Sequence, residues 1–183
     1  MVPDILIPLV TALLAELGDK TQISILFLSS EKRRRLHLLL GVLVAFLVVD
    51  GFAVLVGSQV MVLAPLNVLR VLSLVIFVVF GVLKFRDRGV EGSSLSYSGN
   101  PFLSGFILVG VAEWGDKTQI ASGLLAAKYD ALMVLIGTMT GLGLISTVMI
   151  WLGGSILSKI DRRIMTKVAG ATLILVGISF LIL

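Results

Sequence analysis

The sequence predicts an all-α integral membrane protein, with six transmembrane helices arranged as two inverted-topology three-helix repeats. Three observations point there. The chain is 57% hydrophobic and only 14% charged, well off the balance of a soluble domain. Its apolar residues gather into six runs, each near the ~20 residues that a helix needs to cross a bilayer. And one charged stretch is written twice: residues 16–23 read E-L-G-D-K-T-Q-I and residues 113–120 read E-W-G-D-K-T-Q-I, at an offset of 97 in a chain of 183.

The first run, residues 5–29, follows Met1-Val2-Pro3-Asp4. That start lacks a basic n-region and a small-residue cleavage site, so a permanent span is expected rather than a signal peptide. The second and third runs cover residues 36–58 and 66–85. A stretch rich in Gly and Ser then reads as a linker. The fourth, fifth and sixth runs cover 101–127, 131–154 and 165–183. All six are too long, and too poor in polar–apolar alternation, to be barrel strands. The domain organisation expected is one membrane domain: a first repeat over 1–88, a cytoplasmic linker over 89–100 and a second repeat over 101–183.

Orientation comes from the basic residues. Three alternate loops carry Lys32, Arg33, Arg34, Arg35, Lys84, Arg86, Arg88, Lys159, Arg162, Arg163 and Lys167, whereas the opposite side has Arg70 and Lys128. This bias places the basic loops in the cytoplasm of a multi-pass cell-membrane protein, with both termini outside. It also explains the net charge of +4 without a nucleic-acid partner; the lipid bilayer is the partner expected. The cluster 32–35 sets topology and touches anionic headgroups. The duplication extends past the motif. At an offset of 96, Gly41 aligns with Gly137, Gly57 with Gly153 and Gly81 with Gly177. Three spans per half make the second half enter from the other face, so the two motifs should meet near the bilayer midplane.

The motif charges are Glu16, Asp19, Lys20, Glu113, Asp116 and Lys117. At roughly 2.5–3.5 kcal/mol each, six unpaired charges would cost on the order of 15–20 kcal/mol. They must neutralise one another, face water or hold ions. On a continuous helix Glu16, Asp19 and Lys20 share a face at i, i+3 and i+4, and Gln22 extends the stripe; Glu113, Asp116, Lys117 and Gln119 repeat it. Gly18 and Gly115 allow close backbone approach, or let the helix loosen and turn carbonyls toward a ligand. Four carboxylates and two ammonium groups sum to −2, the charge that one divalent cation or two protons would balance. Carboxylate, amide and hydroxyl oxygens suit Ca²⁺, Mn²⁺ or Mg²⁺ rather than soft metals. The chain has no cysteine, so thiolate sites and disulfides are excluded. Massed carboxylates also take up protons once the metal leaves, a simple route to cation/proton exchange.

Two E-x-G-D-K/R-S/T motifs in a six-span chain resemble the Ca²⁺/Mn²⁺:H⁺ antiporter family, whose eukaryotic members include Golgi and chloroplast manganese and calcium transporters. The resemblance covers essentially the whole chain, and both motifs match without departure. It implies export of cytosolic Mn²⁺ or Ca²⁺ against entering protons, with Glu16, Asp19, Glu113 and Asp116 binding the metal. It implies no enzyme activity and no prosthetic group.

Around those acids, Thr21, Thr118, Gln22 and Gln119 either complete the metal shell or hydrogen-bond between helices. Lys20 and Lys117 are counter-ions that hold the empty site together or swing away on metal binding; a purely structural acid–lysine lock is the plain alternative. Asp50, whose repeat partner is Ser146, is a candidate for a proton path. Trp114 either packs or walls the site, and His37 is expected at the interface. Rival functions are a 3+3-helix exporter of an amino acid or another cation, a cation channel, a membrane enzyme and an assembly scaffold. The absence of a nucleophile–base pair argues against the enzyme, and the paired acids against the amino-acid exporter.

Overall fold

In the computed structural model the described residues are 2–31, 34–63, 65–86, 99–157 and 162–182. They form eight helices: α1 (Val2–Glu16), α2 (Lys20–Glu31), α3 (Arg35–Leu63), α4 (Leu66–Arg86), α5 (Pro101–Ala112), α6 (Lys117–Ala126), α7 (Ala131–Leu157) and α8 (Arg162–Ile182). Four of the six apolar runs are single helices. The first and fourth are each two helices, broken inside the duplicated motif. Of the linker expected at 89–100, residues 89–98 lie outside the described residues, as do Lys32, Arg33, Arg88 and Lys159 of the basic loops.

Local chemistry sets several helix ends. Asn100 caps α5, its side chain accepting from the Phe102 N–H at 3.0 Å, and Pro101 takes the first turn, where no intrahelical N–H partner is needed. Asp130 accepts from the Met133 N–H at 2.9 Å and starts α7. The two breaks are copies of one another. The Asp19 N–H donates to the Glu16 carbonyl and the Ile23 N–H to the Asp19 carbonyl; at an offset of 97, Asp116 N–H donates to Glu113 and Ile120 N–H to Asp116. Gly18 and Gly115 turn the chain at φ of 71° and 81°, and no other described residue has positive φ. Only a residue without Cβ takes that conformation at little cost.

The packing pairs exchange when the first four helices are swapped for the last four. α1 lies on α7 as α5 lies on α3; α2 meets α7 as α6 meets α3; α2 meets α5 as α1 meets α6; α4 and α8 pair with each other, as do α3 and α7. The aligned glycines sit at matching crossings. A Cβ on Gly41 of α3 would stand 2.0 Å from the Phe102 carbonyl oxygen, and one on Gly137 of α7 would stand 2.3 Å from that of Ile5. Gly81 and Gly177 face each other's helices across the α4–α8 contact. Gly153 lies outside the described side chains.

The exchange is imperfect. α8 packs along α1, while the equivalent approach of α4 to α5 is sparser, and α4 instead touches α6. Two helices, over Arg35–Gln59 and Ala131–Leu152, are long and apolar enough to cross a membrane by themselves. Their outer faces carry exposed large side chains, such as Leu47, Phe52 and Leu55 on α3 and Leu144 and Leu152 on α7. Such a surface is costly in water and suits hydrocarbon.

Candidate metal centre

The broken helices place the motif acids at chain ends rather than along a helical stripe. Glu16 is the last residue of α1 and Lys20 the first of α2. The expected sharing of one helix face by Glu16, Asp19 and Lys20 is therefore corrected: the left-handed glycine turns the chain between them. What the break supplies is more useful. The N-termini of α2 and α6 begin just after Asp19 and Asp116, so each aspartate is placed at the positive end of a half-helix, and the Asp19 carboxylate accepts from the Lys20 N–H at 2.6 Å.

Glu16, Asp19 and Asp116 bring carboxylate oxygens within 4.8 Å of one another. A hard cation bound at about 2.3–2.6 Å from each ligand spans oxygens up to roughly 5 Å apart, so the spacing of the three carboxylates suits one ion. Glu16 is fully buried and Asp19 and Asp116 partly so. The Lys117 ammonium stands among them, 3.1 Å from Glu16 Oε1 and 2.8 Å from Asp116 Oδ2, and also hydrogen-bonded to Asp19 Oδ2. Glu113 is buried as well but lies outside this three-acid group.

The threonines cross between motifs. Thr118 donates to Glu16 Oε1 at 2.6 Å, and the Thr21 hydroxyl hydrogen-bonds Glu113. Each motif thus orients the other's glutamate. Gln119 accepts from the Gly115 N–H at 2.6 Å through Oε1 and donates to the Val49 carbonyl at 3.1 Å, which braces the second break against α3. Gln22 Oε1 faces the Ser146 hydroxyl at 3.4 Å. Glu16 Oε2 and Gln22 Nε2 are buried with no hydrogen-bond partner among the described residues. Buried polar atoms in that condition are rare and costly.

Lys20 departs from its copy. It is exposed and lines a cavity of about 460 Å³ with Asp19, Thr21, Phe80, Leu83, Asp116 and Lys117. The expected sum of −2 counted two ammonium groups, but only Lys117 stands inside the acid group. Asp50 is buried on α3 and accepts from the Ser122 hydroxyl at 2.8 Å, and Ser122 also reaches the Thr118 carbonyl at 2.9 Å. Ser122 was not singled out from the sequence. Its only signal was its place four residues after Thr118, one helical turn along α6. Trp114 does not wall the cavity: it is 59% exposed and stacks on Phe52 with ring centroids 5.7 Å apart. His37 is exposed at the start of α3.

The family model described as "Divalent cation/proton antiporter GDT1" matches residues 4–91 and 101–183. A Vibrio cholerae protein named "Putative manganese exporter" is 32% identical over 176 residues, covering 94% of this chain and 88% of that protein. "GDT1-like protein 3" of Arabidopsis thaliana is 42% identical over 79 residues, 43% of this chain and 26% of its own length. "Protein PAM71, chloroplastic" from the same plant is 36% identical over 86 residues, 47% and 23% of the two chains. No solved structure matches.

Proposed function

The chain belongs to the GDT1 family of divalent cation/proton antiporters, and from that premise we propose that it carries Mn²⁺ or Ca²⁺ out of the cytosol through one site built jointly by its two motifs. The family is one of membrane transporters, not enzymes. In this reading Glu16, Asp19, Glu113 and Asp116 bind the ion in turn with protons, while Thr21, Thr118, Gln22 and Gln119 orient the acids or add neutral oxygens. The observation that carries it is the crossing of the motifs. Residues about a hundred apart in sequence meet over one group of carboxylates, where Glu16 is bonded by Thr118 and Lys117.

The six-span plan, with repeats over 1–88 and 101–183 and a linker at 89–100, is part of this proposal. The exchangeable packing pairs and the matched glycine crossings support it. With the basic loops cytoplasmic, both termini lie outside, and the C-terminal end of α4 points inward. The cavity reaches the acids beside Phe80 and Leu83 of that end, so this conformation opens toward the cytosol, while α8 closes on α1 at the opposite face. Rocking one repeat against the other reverses the two contacts.

The test is flux into reconstituted liposomes under an imposed pH gradient, scanned over Mn²⁺, Ca²⁺ and Mg²⁺. Metal movement follows the gradient, and Glu16→Gln or Glu113→Gln each abolishes it. Flux indifferent to the gradient would make the protein a channel. Normal flux in either variant would end the shared-site reading.

A further inference from the structure

The two motifs are near-identical in sequence, yet their lysines occupy different environments. Lys20 is exposed in the cavity. The Lys117 side chain is only 12% accessible and its ammonium bonds three carboxylates, two of them from the first motif. A metal ion equidistant from Glu16, Asp19 and Asp116 would need the place that this ammonium holds. Two cations cannot share it: an ammonium and a divalent ion a few ångströms apart repel strongly in a partly desolvated site.

We propose that Lys117 is a tethered substitute for the transported ion, which the metal displaces on binding and which returns to discharge it. This rests on the site reading given above and assigns the lysine a role in the cycle. The carboxylates, left bare, would repel one another and pull the half-helices apart. With the ammonium among them the metal-free carrier stays closed around its site and can reorient. The cavity gives the displaced side chain somewhere to go, since Lys117 itself lines it. The near-twofold relation assigns the opposite phase to Lys20. Swapping the repeats puts Lys20 against Glu113, Asp116 and Asp19 and moves Lys117 into the open cavity. The motif is therefore written with a lysine in both copies although each conformation uses one.

The experiment has two arms, both on the full chain in lipid nanodiscs, with Mn²⁺ alone as probe. In the first, calorimetry compares the wild-type protein with Lys117→Met and Lys117→Arg. Displacement predicts that Lys117→Met binds Mn²⁺ about tenfold or more tighter, the ~1.4 kcal/mol equivalent of losing a modest competitor, while its exchange in liposomes slows. Lys117→Arg, which keeps a cation, restores weaker binding. In the second arm, reductive methylation of the wild-type protein is read by mass spectrometry at Lys117, with exposed Lys167 as the internal reference. Saturating Mn²⁺ should speed modification of Lys117 several-fold relative to Lys167. A lysine that merely ties helices together predicts equal or weaker binding in a folded Lys117→Met and no gain in Lys117 labelling; that pair of results overturns the proposal alone. If Lys117→Met does not fold, the labelling of the wild-type protein decides. Wild-type protein that binds no Mn²⁺ or Ca²⁺ overturns the site reading and this inference with it.

Discussion

Gly115 and Gly110 allow the same substitution to be made in two settings with opposite expected signs. A Cβ on either would meet nothing within 4 Å, so sterics cancel from the comparison. Gly110 lies inside α5, where replacing glycine by alanine restricts the unfolded chain and favours the helix by roughly 0.5–1 kcal/mol. Gly115 sits at a φ of 81°, where a Cβ crowds its own carbonyl and costs about 1–2 kcal/mol. Gly115→Ala should therefore destabilise and Gly110→Ala stabilise, separated by roughly 1.5–3 kcal/mol. For a chain of this length each kcal/mol moves the melting midpoint by about 2–4 °C. Thermal unfolding in a fixed detergent measures both variants side by side, and the liposome assay reads function. Gly115→Ala should also lose most exchange, because relaxing the turn re-aims Glu113 and Asp116 and shifts the N–H that Gln119 holds. Equal stabilities, or a stabilised Gly115→Ala with full exchange, would refute the argument that a left-handed break organises the site.

Other outcomes follow from the same geometry. Gly41→Ala and Gly137→Ala drive a methyl into backbone carbonyls; each should cost about 1–3 kcal/mol or more, while Gly51→Ala, with open space around it, should not destabilise in the same melting assay. Ser122→Ala removes the donor to buried Asp50 and should cost roughly 1–3 kcal/mol, with slower exchange; Ser122→Thr should recover part of both. Thr118→Ala removes the hydroxyl that donates to Glu16 Oε1 and orients it and should weaken Mn²⁺ binding by about tenfold, near the ~1.5 kcal/mol of a hydrogen bond to a charged group, with Thr118→Ser restoring it. Lys128 donates to the Ser179 carbonyl at 3.0 Å and stands 4.2 Å from the Phe180 ring centroid. Lys128→Met should lower the melting midpoint by the equivalent of about 1 kcal/mol and raise hydrogen exchange at the end of α8.

Much of the candidate site was legible in one chain because its message is covalent. A duplicated E-x-G-D-K-T, set in apolar runs, names the acids and the glycines without reference to shape. Burial costs then demand that those charges meet partners, and the structure supplies them within and across the motifs. The break in each motif helix was legible only as an option. Glycine permits both a close helix contact and a left-handed turn, and local sequence does not choose between them. The helical-stripe reading failed there; of the two readings of Trp114, packing is the one the structure favours, against Phe52 of another helix.

The sequence alone determined that the chain is helical and apolar and that its charged motif comes in two related copies; these follow from composition, periodicity and repetition. Tertiary structure decided what identical copies cannot encode about themselves. Two nearly equal motifs carry no information about which lysine enters the acid group; that is set by tertiary packing, which is not the same around the two copies. Packing broke the tie in favour of Lys117 and left Lys20 in the open cavity.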